Sequence, residues 1–144
     1  MIIHSDASDK AVGAVLSQVQ EGKEKVIACM SKALNQHEQM YCVTRKELLA
    51  VVCALRNLHS YLYGQEVVLR TNNTAVSWMK SLKMPNEQVA RWHLEIGNYN
   101  LIFTHRPGRQ HNNADALSRR PWKFTYVIKR EIQKRRVNLN ALQP

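Results

Sequence analysis

The hydrophobic periodicity of the chain changes near Thr44, and this change constrains the fold more than any other feature. Before it, three short apolar segments, 2–5, 13–19 and 25–31, have the length and composition of β-strands. After it, apolar residues recur at three- and four-residue steps, the period of a helix with one buried face. These residues are Leu48, Val51, Val52, Leu55, Leu58 and Leu62. The sequence predicts an antiparallel meander followed by a long helix that Thr44 can cap.

Strand and helix patterns alternate in the rest of the chain. A β-branched segment covers 66–71, and a fifth strand is predicted over 101–105. Two shorter helices are predicted between them, from about 74 to 82 and from about 86 to 96, and a last helix over 113–119. The later strands return through helical crossovers. The order β-β-β-α-β-α-α-β-α therefore predicts an α/β fold: a five-stranded mixed sheet, three antiparallel strands first, with helices on both faces.

Positive charge is concentrated at the carboxyl-terminal end. The net charge of the 144 residues is +10, but residues 1–118 hold 13 basic and 10 acidic side chains, so +7 lies in the last 26 residues. Such an excess favours anionic partners such as nucleic acid, and a solvated charged tail is the alternative. We predict one domain over 1–120 and a basic extension over 121–144. The extension is an added strand, a nucleic-acid arm or a disordered tail.

The cysteines and the absence of long apolar runs limit the cellular compartments in which the protein is expected. Cys29, Cys42 and Cys53 are odd in number and lack CxxC spacing, which argues against a disulfide framework and against a zinc site. No basic-then-apolar leader is present, and no apolar run approaches the ~18 residues of a membrane span. We expect an intracellular protein that is neither secreted nor in contact with a membrane.

Acidic residues occupy positions at which a fold can gather them. Asp6 closes the first strand, Glu47 lies near the start of the long helix, and Asp115 lies in the first turn of the last helix. An amide, Asn72, follows the fourth strand. Strand ends and helix starts can meet at one edge of a sheet, where clustered carboxylates repel each other until a hard cation such as Mg²⁺ binds. Two such ions ~3.5–4 Å apart can activate water for phosphodiester cleavage.

Each acid also has a structural interpretation. Thr44 and Glu47 have the spacing of a capping box, and Asp115 can complement a helix dipole. Asp6, which is followed by Ala-Ser-Asp, can form a turn. Taken one residue at a time, the sequence leaves these alternatives open.

Together with their flanking residues, these segments resemble the ribonuclease H domain of reverse transcriptases from Ty3/gypsy-type LTR retrotransposons. The resemblance covers about residues 2–120, in the family's order, and the tail from Pro121 lies outside it. The matching segments are Ser5-Asp6-Ala7-Ser8, Gly13-Ala14-Val15-Leu16-Ser17-Gln18, residues 44–52, Tyr61-Leu62-Tyr63-Gly64, Leu69-Arg70-Thr71, Ala90-Arg91-Trp92, His105-Arg106-Pro107-Gly108 and residues 112–119.

The resemblance implies a ribonuclease H-like fold that hydrolyses the RNA strand of RNA/DNA hybrids with two Mg²⁺ or Mn²⁺ ions. Asp6, Glu47, Asn72 and Asp115 would be the catalytic metal ligands. Asn72 stands where the family usually has Asp, and an amide oxygen brings no charge. We therefore expect a weakened two-metal site and strongly reduced or absent cleavage. An engineered change and natural decay of an element both explain the substitution.

The same resemblance suggests further roles and partners. His105 and His111 are candidate proton shuttles. Trp78 and Trp92 lie on apolar faces of predicted helices, which indicates core residues rather than base-stacking platforms. Phosphate or sugar contacts are assigned to Asn73, Arg91, Arg106, Arg109, Asn112, Asn113 and Arg119, with plain surface solubility as the alternative. The domain would act beside the polymerase domain of its parent polyprotein, in the cytoplasm within a virus-like particle, or in the nucleus.

The sequence leaves two rival functions open. The first is a module that binds RNA or RNA/DNA hybrids without cleaving them, which Asn72 and the basic tail favour. The second is a scaffold that binds protein through an exposed sheet edge, for which the alternating residues 122–129 are the only signal.

Overall fold

The structure, a computed structural model, describes residues 1–71, 77 and 86–105 of the chain. Five strands in these residues form one sheet in the order β3-β2-β1-β4-β5. They are β1 (Ile2–Ala7), β2 (Ala11–Gln20), β3 (Lys23–Ala33), β4 (Glu66–Thr71) and β5 (Asn100–His105). The first three strands pair antiparallel, whereas β4 is parallel to β1 and β5 is parallel to β4. The predicted mixed sheet with three antiparallel strands first is confirmed.

The described helices are α1 (Gln36–Gln39), α2 (Val43–Asn57), α3 (His59–Leu62) and α4 (Glu87–Gly97). α2 packs on β1 and β2, and α4 packs against α2. The helix predicted from about 86 to 96 is confirmed as α4, and the side chain of Asn86 caps it by accepting the Val89 N–H at 2.9 Å. None of these helices has the length and apolar character needed to cross a bilayer.

Several sequence predictions lie outside the described residues. They include the helix predicted from about 74 to 82, the helix over 113–119 and the extension over 121–144. The predicted placement of helices on both faces depends in part on the helix over 113–119.

The core lies between the sheet and α2. All six residues of the predicted helical stripe are buried, with Leu48 at the amino-terminal end and Leu62, already in α3, at the other. Trp92 on α4 is 5% exposed, which confirms that it belongs to the core. The sheet contributes Ile3, Leu16 and Leu69 among its fully buried side chains. This packing fixes the face that α2 turns toward β1.

The predicted cap of the long helix is wrong. α2 begins at Val43 with Cys42 as its N-cap, no side chain caps it, and Thr44 lies inside the helix. The apolar stripe specifies the buried face of the helix but not the residue at which its first turn starts. Cys42 is exposed, Cys29 is partly buried and Cys53 is buried, and all three are free thiols.

The short helix α1 was not predicted, although its capping signal is in the sequence. Asn35 Oδ1 accepts the Glu38 N–H at 2.8 Å, and the Glu38 carboxylate accepts the Asn35 N–H at 3.1 Å, which makes a capping box. Lys32 adds an ion pair to Glu38 at 3.0 Å. A four-residue helix has no hydrophobic periodicity, so only the capping residues can reveal it.

A polar network on the sheet joins four strands through Glu24. Its carboxylate accepts a hydrogen bond from Ser17 Oγ at 2.6 Å and one from Arg70 Nη1 at 3.2 Å, and it lies 2.6 Å from His4 Nε2. Partial burial alone would raise the pKa of the Glu24 carboxyl. The hydrogen bonds of Ser17 and His4 and the charges of His4 and Arg70 outweigh burial and lower this pKa to about 2.

We expect Glu24→Gln to remove an acid-sensitive part of the folding stability. Because the folded-state pKa is below the usual 4.5, the ionised carboxylate stabilises the fold above pH 4.5, and this contribution disappears as the pH falls from 4.5 to about 2. Solvent screens the partly exposed network, so the expected loss at pH 7 is ~1 kcal/mol. Urea unfolding of both proteins at pH 7 and pH 3 measures it. An equal difference at both pH values would contradict the assignment.

Candidate metal centre

The candidate site lies at the sheet edge where the parallel strands end. Asp6 is the penultimate residue of β1, Thr71 ends β4 and His105 ends β5. The register pairs His4 with Arg70 and Thr71 with His105, so these three carboxyl-terminal ends adjoin one another. Open α/β sheets bind their ligands at this edge. The amino-terminal part of α2 reaches the same edge and carries Glu47 there.

Glu47 is a buried acid whose pKa is strongly perturbed. It is 4% exposed, and its Oε2 atom is buried with no hydrogen-bond partner among the described residues. Burial, first, and the charge of Asp6, second, raise the pKa of the Glu47 carboxyl to about 8, against the lowering effect of a hydrogen bond from the Ala7 backbone N–H. A buried carboxylate that keeps one unpartnered oxygen beside a second acid is suited to a cation.

The structure brings Asp6 and Glu47 together, as their metal-site interpretation requires. Asp6 is partly buried and pairs with Gly13 inside the sheet, and its charge acts on Glu47. The other two predicted ligands, Asn72 and Asp115, lie outside the described residues. Within the described part of the chain, no three His, Cys, Asp or Glu side chains form a group that could hold a metal ion. The described residues thus contain two of the four predicted ligands.

Two structural interpretations of these acids are wrong. Glu47 cannot complete a capping box with Thr44, because the N-cap of α2 is Cys42 and position N3 is Arg45. Asp6 does not form a turn, because it lies within β1 and the chain reverses over 8–10. Neither acid therefore serves the local backbone role proposed for it from sequence.

The remaining candidate residues are placed only in part. His105 is exposed at the end of β5, and Arg91 is exposed on α4. Their roles as proton shuttle and phosphate contact stay predictions. The other assigned residues lie outside the described part of the chain: Asn73, Arg106, Arg109, His111, Asn112, Asn113 and Arg119.

The structure also shows polar groups at this edge that sequence reasoning missed. Lys46, next to Glu47, is 8% exposed, and its Nζ donates a hydrogen bond to the Asp9 backbone oxygen at 3.3 Å. Ser5 Oγ and Thr71 Oγ1 are buried with no partner among the described residues. Ser5 precedes Asp6, and Thr71 precedes Asn72. No local sequence signal indicates the burial of Lys46, because its contact with Asp9 joins residues that are distant in the chain.

The fold is that of ribonucleases H. A solved structure of LC11-RNase H1 in complex with an RNA/DNA hybrid superposes with a TM-score of 0.61 at 20% sequence identity, covering 81% of this chain and 91% of that one. The family model described as an RNase H-like domain found in reverse transcriptase matches residues 1–99. The chain therefore belongs to the RNase H-like domain family of reverse transcriptases.

Curated relatives place this domain among retrotransposon polyproteins of the Ty3/gypsy type. The Pol polyprotein from transposon opus of Drosophila melanogaster is 38% identical over 118 residues, which are 81% of this chain and 12% of that protein. The Pol polyprotein from transposon gypsy of the same fly is 36% identical over 140 residues, which are 96% of this chain and 12% of that protein. The chain thus spans about an eighth of either relative. The similarity to gypsy also continues beyond Pro121, where the resemblance seen in the sequence had ended.

Proposed function

We propose that this domain hydrolyses the RNA strand of RNA/DNA hybrids with a pair of divalent cations, and that Asn72 strongly reduces the rate. The observation that supports the proposal is the buried Glu47 carboxylate beside Asp6. Its Oε2 has no partner among the described residues, and its raised pKa reflects a negative charge that the fold alone does not stabilise. A cation at this point would supply the missing counter-charge.

The residues present fit Mg²⁺ or Mn²⁺. Both ions prefer oxygen ligands, and Asp6 and Glu47 offer carboxylate oxygens, to which Asn72 and Asp115 would add an amide oxygen and a carboxylate. When bound, such ions activate a water molecule and neutralise charge on the scissile phosphate. The Ala7 N–H orients the Glu47 carboxylate toward β1. α2 and the sheet bury that carboxylate, which excludes bulk water and strengthens its electrostatic interactions.

The family and a solved neighbour support an RNA/DNA hybrid as the substrate. LC11-RNase H1 was solved with an RNA/DNA hybrid, and the curated relatives are Pol polyproteins. A hybrid would be recognised by its groove shape and by the 2′-hydroxyls of the RNA strand, with little base specificity. Exposed Arg91 is the described candidate for a phosphate contact. We place the domain beside a polymerase domain in the parent polyprotein.

The direct test is cleavage of a labelled RNA strand in a hybrid, with Mg²⁺ and with Mn²⁺, by the natural chain and by Asn72→Asp. A double-stranded DNA of the same sequence is the substrate control. Slow cleavage by the natural chain and fast cleavage by the variant support the proposal. Equal rates would contradict the impairment, and no cleavage by either protein would contradict the enzymatic function.

A second candidate function is binding of RNA or hybrids without cleavage. Two sequence observations favour it: the amide at position 72 and the +7 charge of the last 26 residues. Basic side chains that contact phosphates release counterions, so binding by this route depends steeply on salt.

We expect neutralisation of the basic triplet Lys134, Arg135 and Arg136 to Gln to weaken hybrid binding and to flatten its salt dependence. Each lost phosphate contact reduces the slope of log affinity against log salt by ~0.9 or less. Fluorescence anisotropy at salt concentrations from roughly 50 to 300 mM would give the slope, because counterion release dominates the salt dependence in this range. The control is the double variant Lys23→Gln and Lys25→Gln, at two exposed positions of β3. A slope that stays unchanged in the triple variant would rule out phosphate contacts by the triplet.

A further inference from the structure

Lys46 is a buried lysine next to Glu47, near the amino-terminal end of α2. It is 8% exposed, and within the described residues its ammonium makes one hydrogen bond, 3.3 Å long, to the backbone oxygen of Asp9. No described carboxylate lies within ion-pair distance of it. Lysine is seldom buried without an ionic partner, so the contact with Asp9 is the feature that distinguishes this side chain.

Lys46 and Glu47 both contact the backbone at the turn between β1 and β2. The turn joins β1 to β2 and is closed by the hydrogen bond from Ser8 N–H to Ala11 oxygen at 2.8 Å. Glu47 accepts the backbone N–H of Ala7 before this turn, and Lys46 donates to the carbonyl of Asp9 within it. Two consecutive residues of α2 therefore make one accepting and one donating contact with the backbone of residues 7–9.

We infer that Lys46 is a positioning residue, which anchors α2 to the β1–β2 turn and so sets the separation of the Asp6 and Glu47 carboxylates for a divalent cation. Asp6 immediately precedes Ala7, so any movement of α2 relative to the turn changes the distance between the two acids. The Lys46 contact with Asp9 opposes such a movement. This inference rests on the proposed cation-dependent function of the same site.

The anchoring role and a simple charge effect predict opposite results. Lys46 is a cation beside a predicted cation site, so by Coulomb's law alone its removal should strengthen cation binding. If Lys46 instead positions the ligands, its removal should weaken cation binding, as loss of residues that orient metal ligands does by ~10- to 100-fold. The sign of the change in affinity therefore separates the two explanations.

The test is calorimetric titration of the full chain with Mn²⁺ alone, in the natural protein and in the Asn72→Asp background. Lys46→Met keeps the apolar stem and removes the ammonium, and Lys46→Arg keeps a charged donor. Arg56→Met is the matched control, because it removes a cation and an inter-helix contact, Arg56 to Glu95 at 2.7 Å, from the same helix. It lies ten residues from Lys46, or ~15 Å along the axis.

We expect Lys46→Met to weaken Mn²⁺ binding ~10-fold, with Lys46→Arg and Arg56→Met within ~3-fold of their parent. Unchanged or tighter binding by a folded Lys46→Met overturns the inference and leaves the proposed function standing. If Lys46→Met does not fold, as judged by circular dichroism, Lys46→Gln replaces it, with the same outcomes. If neither the natural chain nor Asn72→Asp binds Mn²⁺, the inference and the proposed function both fail.

Discussion

Replacing Asn72 with Asp is expected to raise the rate of RNA-strand cleavage in an RNA/DNA hybrid by ~10²- to 10³-fold, the range that one electrostatic contact to a transition state contributes. Position 72 follows directly on β4, which ends at Thr71 and runs parallel to β1. An amide can ligate a cation but carries no charge. A carboxylate there would join Asp6, Glu47 and Asp115 in holding the ions, which would neutralise the charge that develops on the phosphate.

The measurement is single-turnover cleavage of an end-labelled hybrid at saturating Mg²⁺, so that chemistry and not product release is observed. Asn98→Asp is the matched control, because it adds the same charge beyond the end of α4 and just before β5 begins, at the opposite edge of the sheet. It should leave the rate unchanged. Calorimetry with Mg²⁺ then separates weak ion binding from slow chemistry. If Asn72→Asp gains less than ~3-fold, the amide is not what limits the site.

The parts of the fold that follow a strong pattern were predicted closely. β4 was predicted over 66–71 and forms over those residues, because a β-branched segment bounded by a glycine has few alternatives. The buried stripe of α2 was predicted residue by residue, since helical periodicity reports directly which face packs. The meeting of Asp6 with Glu47 followed from strand-end and helix-start positions, and the resemblance to ribonucleases H supported it.

The misplaced and missed features depend on contacts between elements. Thr44 has the residue type and spacing of a cap, but the N-cap is Cys42 and Thr44 lies inside the helix. The anchor from Lys46 to Asp9 joins residues 37 positions apart, so no local pattern reveals it. The perturbed pKa of Glu47 likewise arises from burial and from Asp6, which only the folded chain brings near. Sequence indicates which groups are reactive, and packing decides how they are held.

Replacing Glu47 with Gln is expected to make the cation-free protein more stable at alkaline pH while it abolishes cation-dependent cleavage. The folded-state pKa of about 8 exceeds the usual 4.5, so the folded protein retains a proton that the unfolded chain releases. Stability of the natural chain should therefore fall as the pH rises from 4.5 to about 8. Gln lacks this titration, and the gain above pH 8 has an upper limit of roughly 5 kcal/mol.

Urea unfolding in EDTA from pH 5 to pH 9 measures the change in stability. Cleavage assays in the Asn72→Asp background measure the change in activity, and we expect cleavage to fall at least ~10²-fold. Glu95→Gln is a control of opposite sign. The hydrogen bond from Arg56 lowers the pKa of Glu95, so this variant should lose ~1 kcal/mol or less at pH 7 and should cleave normally. Replacement of a buried acid that serves only the fold should destabilise the protein. A gain in stability together with a loss of cleavage would therefore support Glu47 as a cation ligand. A loss of stability in Glu47→Gln at pH 9 would contradict that role.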